Sequence, residues 1–204
     1  MTDILVVCTA NVARSPLFAA RLRLEADQRL GPGAVDIASA GVDTVYGKAA
    51  AGHAVTVADR WGADLSQHRS TPTNFLTLHE PALIITMERR HGRALLERDP
   101  KAAHTFTLPE LVTILADQAT SGEAKGLPPA DPAEPRSRIA AVADLAAKLR
   151  PKRLSRRRAD VPDPIRGGQN VYDALGERFT EEGTTLAQAL FGPLAAETTK
   201  DVTD

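Results

Sequence analysis

Cysteine is nearly absent from this chain. Cys8 stands alone, so no intramolecular disulfide can form and no Cys-only metal site can be built. Aromatic residues are scarce too, at 4% with one Trp and two Tyr, so a core has to be filled with Ala, Val, Leu and Ile. No apolar run approaches the roughly 20 residues of a membrane-spanning helix. The start Met1-Thr2-Asp3 lacks the basic segment and apolar core of a secretory signal. Neither sign of charge dominates. The 25 Lys and Arg against 26 Asp and Glu leave a net charge of -1, which gives no bulk attraction to nucleic acid or to an anionic membrane. These absences lead to the expectation of a cytoplasmic protein, a monomer or weak dimer, without nucleic-acid or membrane partners. What is plentiful is apolar content, 43% of 204 residues, enough for a sizeable core in one domain with an elaboration.

The most informative stretch lies near the start. Ile4-Leu5-Val6-Val7 reads as a short buried strand. Pro16 suits the first turn of a helix, and Leu17, Ala20, Arg21, Leu24 and Glu25 continue it with helical spacing. Between them runs the loop Cys8-Thr9-Ala10-Asn11-Val12-Ala13-Arg14-Ser15. A loop that wraps onto a helix N-terminus turns successive backbone N–H groups inward, where they and the helix dipole hold a tetrahedral oxyanion. Arg14 adds a two-pronged clamp. Cys8 sits at the base of that positive field, which favours thiolate, and Ser15 can donate a hydrogen bond to it. A nucleophile beneath an anion cradle is suited to attack on phosphorus in a phosphoester.

The spacing of Cys8, Arg14 and Ser15 resembles the signature of protein tyrosine phosphatases. Its place after a first strand resembles the low-molecular-weight branch, whose run usually reads C-x-G-N-x-C-R-S-P. Cys8, Asn11, Arg14, Ser15 and Pro16 match; Ala10 replaces the usual Gly and Ala13 a second Cys. The resemblance implies one α/β domain with a four-stranded parallel sheet flanked by helices on both faces, and a phosphate-binding loop after the first strand. It implies hydrolysis of protein phosphotyrosine through a cysteinyl-phosphate, with no cofactor and no metal. Cys8 would be the nucleophile, Arg14 the phosphate clamp, and Thr9, Ala10, Asn11, Val12, Ala13 and Ser15 the substrate-binding loop. Ser39, in the strand ending Ser39-Ala40-Gly41, and His68 would support that loop, with Asn11 in an unusual backbone conformation. Tyr46 would line the mouth of the site. Asp163-Pro164 matches the family's late Asp-Pro pair, whose Asp is the general acid and then the base. Asp160 is the rival carboxylate but lacks a following Pro. Ile165 stands where an aromatic residue is usual. Gly167-Gly168 and Val171-Tyr172-Asp173 resemble bacterial members.

The remaining elements follow from pattern. Further strands are expected at 35–41, 81–87 and 104–107, and helices at 50–61 (Val55, Ala58 and Trp61 on one face), 88–98 and from Leu108. Glu88 takes the place of a usual Asp, and His91, in a charged segment, reads as solvated. The resemblance spans about 4–115 and 160–190, leaving an insertion at about 117–158 within a domain at 1–194 and a polar tail at 195–204. In the insertion, 117–135 reads as a mobile exposed loop and 137–149 as a helix capped by Ser137. The basic run Arg150, Lys152, Arg153, Arg156, Arg157 and Arg158 reads as a solvated face. A last helix starts near Val171, with Gly183 a point of interruption.

Other readings stay open on the same residues. A branch of the fold acts on phosphoarginine, typically with Thr at the Val12 slot, so Val12 leans toward phosphotyrosine. Arsenate reduction with an external thiol is compatible with one Cys. A non-catalytic phosphate-binding protein is the third, since Ala10 would be strained if the loop demanded positive φ there.

Overall fold

In the computed structural model, residues 1–121, 127–153 and 160–194 are described. The tail at 195–204, residues 122–126 of the expected loop and Arg156, Arg157 and Arg158 of the basic run lie outside them.

Strand β1, Ile4–Cys8, is buried along its whole length. A strand covered on both faces needs apolar side chains at odd and even positions alike, which is why the run does not alternate. It is the second strand of a four-stranded sheet in the order β2-β1-β3-β4, with β2 at Ile37–Gly41, β3 at Leu83–Thr86 and β4 at Thr105–Thr107. All the pairings are parallel, and Cys8 stands opposite Gly41 at the end of the β1–β2 ladder. Parallel neighbours require crossover connections, and helices supply them.

Helix α1, Arg14–Leu30, starts straight from the loop and is buried continuously from Arg14 to Ala20. Gly31 at φ 94 ends it. It carries Leu17, Phe18 and Leu22 onto the face of the sheet that Ile4, Val6 and Cys8 share. The same core takes in α4 (Leu108–Ser121), α5 (Pro135–Arg153) and α6 (Gln169–Phe191), while α2 (Gly52–Arg60) leans on α1 and α6. The opposite face is thinner, where Leu5, Val7 and Ile84 meet Leu78 and Leu95, the latter from α3 (Arg89–Arg98). Helices therefore cover both faces unequally. Among the described residues no helix is long and apolar enough to cross a membrane.

Several expectations need correction. Residues 117–121 are the last turn of α4 rather than loop. Helix α5 begins at Pro135, before Ser137, because Pro suits a first helical turn. Its Ile139, Val142, Ala146 and Leu149 are buried in the main core, so this part of the apparent insertion completes the core. Arg150 is not solvated in the way a charge run suggests. It donates to Glu110 at 2.9 Å and to the Thr105 carbonyl, and stacks 4.1 Å from the Phe106 ring centre. Helix α2 buries Ala54, Val57 and Ala58, leaving Val55 and Trp61 at the margin. In α6 it is Tyr172, 1% exposed, that enters the core, while Val171 is 40% exposed. Gly183 does not break α6; a Cβ there would lie 3.1 Å from Arg21 Cγ, so the small residue lets α1 approach.

That α1–α6 contact also buries Glu25, 2% exposed. Its carboxylate accepts from Arg21, Arg29 and, at 2.9 Å, Thr184 Oγ1 of α6. Removing one partner of a buried ion pair strands the others. Glu25→Ala is therefore expected to cost about 3 to 5 kcal/mol, measured as a lowered urea midpoint.

Candidate active site

The site forms where β1 ends. Cys8 is followed by a turn whose backbone is tied on both sides: Val42 and Asp43 N–H donate to the Cys8 and Thr9 carbonyls, each at 3.0 Å, and Met87 N–H donates to Val7 O at 2.9 Å. Gly41 lies close against this turn; a Cβ there would stand 2.6 Å from Thr9 O, so no larger residue fits without moving the loop.

Asn11 holds the turn's shape. Among the described residues it alone, apart from glycines, has positive φ, at 53°, a region Asn tolerates better than most. It is 0% exposed, and every polar group of its side chain is answered. Nδ2 donates to Ser15 Oγ and to Ser39 Oγ, each at 2.9 Å, and Oδ1 accepts from Thr71 N–H at 2.8 Å. His68 Nε2–H donates to the Asn11 carbonyl at 2.7 Å. Burial lowers the His68 pKa, which keeps the ring neutral. Ser39 and His68 thus both contact the loop through Asn11. Ala10 does not have positive φ, so the strain expected at that position does not arise.

The loop closes around one thiol. Cys8 Sγ is 3.0 Å from Ser15 Oγ, and Asn11 N–H donates to it at 3.3 Å. Ala13 precedes the first turn of α1, so the helix N-terminus faces the loop. Arg14, 2% exposed, opens that helix and spans the site. Nη1 donates to Glu88 Oε1 at 2.7 Å and to Val161 O at 3.0 Å; Nη2 donates to Asp163 Oδ2 at 2.7 Å. Val161 N–H in turn donates to Met87 O at 2.9 Å, which anchors the Asp163 segment beside the end of β3. Asp163 is 42% exposed. Asp160 is directed elsewhere: it accepts from Arg89 N–H at 3.2 Å at the start of α3. Tyr46 is 67% exposed on the loop that follows Asp43, and Ile165 is 51% exposed beyond Asp163. Val12 O accepts from Ala51 N–H at 2.7 Å, tying the loop to the start of α2.

Three participants were given no role in the site by the sequence. Glu88 is the N-cap of α3 and pairs with Arg14. The hydrogen bond from Arg90 and then that from Arg14 lower its pKa to about 2, against the opposing effect of burial. His91 is 0% exposed rather than solvated. It receives Glu88 N–H on Nδ1 at 3.1 Å and meets Thr9 Oγ1 through Nε2 at 2.9 Å. Burial pushes its pKa down to about 4. Arg90 donates to Thr9 Oγ1 at 2.8 Å. The Glu88…His91 spacing of a capping box was visible in the sequence, though with His in place of the usual Glu or Gln. Among the described residues no group of three or more His, Cys, Asp or Glu is arranged to hold a metal ion.

A parallel α/β sheet, a thiol at the end of its first inner strand, and a buried arginine over a helix N-terminus form an arrangement that can hold an anion above a nucleophile. Comparison with known proteins narrows this. The family described as low molecular weight phosphotyrosine protein phosphatase matches residues 3–121. The "Probable low molecular weight protein-tyrosine-phosphatase EpsP" of Ralstonia solanacearum is 37% identical over 109 residues, 53% of this chain and 71% of EpsP. A protein-arginine-phosphatase of Geobacillus stearothermophilus is 35% identical over 111 residues, 54% of this chain and 71% of its own. The solution structure of a low molecular weight protein tyrosine phosphatase from Bacillus subtilis superposes with a TM-score of 0.62 at 25% identity, covering 93% of this chain and 97% of the other. The chain belongs to the low molecular weight phosphotyrosine protein phosphatase family.

The network makes the fold acid-sensitive. His91 and Glu88 both have folded pKa values below their ordinary 6.5 and 4.5. Each therefore stabilises the folded state above its ordinary value, and that contribution is lost as pH falls through the folded value. Stability is expected to decline from pH 6.5 toward 4 through His91, and from 4.5 toward 2 through Glu88. Urea midpoints at stepped pH check this; a flat midpoint down to about pH 4 would remove His91 from the network.

Proposed function

We propose that this chain hydrolyses phosphotyrosine in protein substrates through a cysteinyl-phosphate on Cys8. The observation that carries the reading is Arg14, whose Nη2 reaches Asp163 at 2.7 Å while its helix start closes the loop over Cys8. That contact sets a carboxyl beside the phosphate clamp, where a leaving oxygen needs a proton.

In this reading the substrate's phosphoryl oxygens take the loop N–H groups and compete with Asp163 for Arg14. Cys8 Sγ attacks phosphorus, the P–O bond to the phenol breaks, and Asp163, released from Arg14 and protonated from solvent, gives that proton to the departing oxygen. Phenolate leaves poorly without that proton. Asp163 then takes a proton from the water that attacks the cysteinyl-phosphate, and Ser15, 3.0 Å from Sγ, stabilises the thiolate as it leaves. The fixed donors need no reorganisation as charge develops, which favours turnover. Exposed Tyr46 would border an aryl ring.

Phosphoarginine is the second reading, and the arginine-phosphatase relative supports it. Val12 favours phosphotyrosine, because an apolar slot offers no hydrogen bond to a guanidinium nitrogen.

Aryl phosphate hydrolysis in the presence of chelator tests the reaction. Cys8→Ser is expected to abolish turnover, and Asp163→Ala to lower kcat by about 100-fold or more, within the range of general-acid catalysis. Inactive wild type that is folded and reduced would sink the reading, and thiol-dependent arsenate turnover would then replace it. On paired phosphopeptides, wild type is expected to prefer phosphotyrosine. Val12→Thr should shift the ratio toward phosphoarginine by about 10-fold.

A further inference from the structure

Among the described residues, the hydroxyl of Thr9 is surrounded by hydrogen-bond donors. Thr9 follows Cys8, and its Oγ1 meets Arg90 Nη2 at 2.8 Å, His91 Nε2 at 2.9 Å and, at longer range, Arg14 Nη2 at 3.4 Å. A guanidinium can only donate. The direction of the imidazole contact follows from the other ring nitrogen. Nδ1 accepts Glu88 N–H at 3.1 Å, so it carries a lone pair and the ring hydrogen is on Nε2. Both close partners therefore donate to Thr9, and they fill the two acceptor positions of a hydroxyl.

The donors are themselves held in place. His91 is 0% exposed, in the first turn of α3. Arg90 is 60% exposed but grips both oxygens of Glu88, through Nε at 2.6 Å and Nη2 at 3.1 Å. Among the described residues the Thr9 hydroxyl donates to no acceptor. It lies beside Arg14 Nη2, the same nitrogen that holds Asp163.

We infer that the Thr9 hydroxyl is a substrate-binding donor, committed by His91 and Arg90 to give its hydrogen bond to an oxygen of the phosphoryl group clamped by Arg14. The inference rests on the phosphatase reading above and extends the cradle from backbone N–H groups to a side chain. His91 and Arg90 are positioning residues: neither touches the phosphoryl group, and each acts by closing an acceptor position on Thr9. No proton is transferred. A hydroxyl with two filled acceptor positions can only donate outward, and the oxygens nearest to it on binding are anionic.

Inorganic phosphate, titrated into the full chain by calorimetry, reads this without turnover. Thr9→Val removes the hydroxyl at nearly constant shape and is expected to weaken phosphate binding by about 10- to 100-fold, the worth of a hydrogen bond to a charged group. Thr9→Ser restores the donor and should stay within about 3-fold of wild type. His91→Phe should weaken binding in the wild-type background yet add nothing to Thr9→Val, since a residue acting through the hydroxyl has no effect once it is gone. If the His91 variant does not fold, the Thr9 pair decides. Unchanged affinity in Thr9→Val, an equal loss in Thr9→Ser, full additivity with His91→Phe, or no phosphate binding by wild type would each overturn the inference. Phosphate binding with the expected Thr9 pattern but no aryl phosphate turnover would remove the phosphatase reading and leave the donor assignment standing. Turnover with a neutral Thr9→Val would do the reverse.

Discussion

A guanidinium that is 2% exposed constrains everything around it. Taking a charge of that kind out of water costs several kcal/mol unless opposite charge and hydrogen bonds answer it. Arg14 is answered by Glu88 at the start of α3, by the Val161 carbonyl, and by Asp163. These partners come from distant parts of the chain, and folding has to bring them to the end of β1 before the arginine can be buried. The groups proposed to react are thus assembled by the same contacts that make this burial tolerable. In the proposed reaction a substrate phosphoryl group would substitute for Asp163 at one edge of the guanidinium while Glu88 continues to hold the other.

The loop beneath Arg14 solves a second problem, that of staying open for an anion without filling itself. Asn11 adopts positive φ, a conformation that is costly for most side chains. It is sustained because Ser15, Ser39, Thr71 and His68 each bind one of its polar groups. Those partners lie on α1, on β2 and on the segment leading to β3, so the cradle's shape is imposed by the sheet rather than by the loop alone. Gly41 completes it by letting β2 end directly against Thr9. Such prearranged donors are effective against charge that develops during reaction, because nothing has to turn toward it.

Glu88 links the two arrangements. It caps α3, pairs with Arg14, and fixes Arg90, while its backbone N–H fixes the tautomer of His91. Its carboxyl stays ionised far below neutrality because Arg90 and Arg14 bind it. The outer side of the loop is therefore bordered by groups whose protonation is settled at physiological pH, and this leaves Thr9 with a defined hydrogen-bonding direction.

The four strands and the loop–helix junction were legible in the sequence because they rest on local causes. Ile4-Leu5-Val6-Val7 and Leu83-Ile84-Ile85 are short apolar runs of the kind that strands buried on both faces carry, and Pro16 belongs in a first helical turn. Cys8, Asn11, Ser15, Ser39 and His68 are joined by one set of hydrogen bonds, and Arg14 and Asp163 by another with Glu88, Arg90 and His91, while Tyr46 stands exposed outside them. The sequence misled wherever a side chain's fate depends on a distant partner. His91 sits among Glu88, Arg89 and Arg90 and looks solvated; it is buried because Thr9, 82 residues earlier, accepts its N–H. Arg150 looks like the start of a free basic run, yet Phe106 and Glu110 hold it. Gly183 looks like a helix breaker, and α1 packing against α6 keeps the helix whole. Composition, periodicity and the Cys8–Pro16 run determined the elements and the chemistry available. Only the tertiary structure decided which charges are buried together and which hydroxyl is surrounded by donors, since burial and hydrogen-bond direction are properties of neighbours that the chain brings from far away.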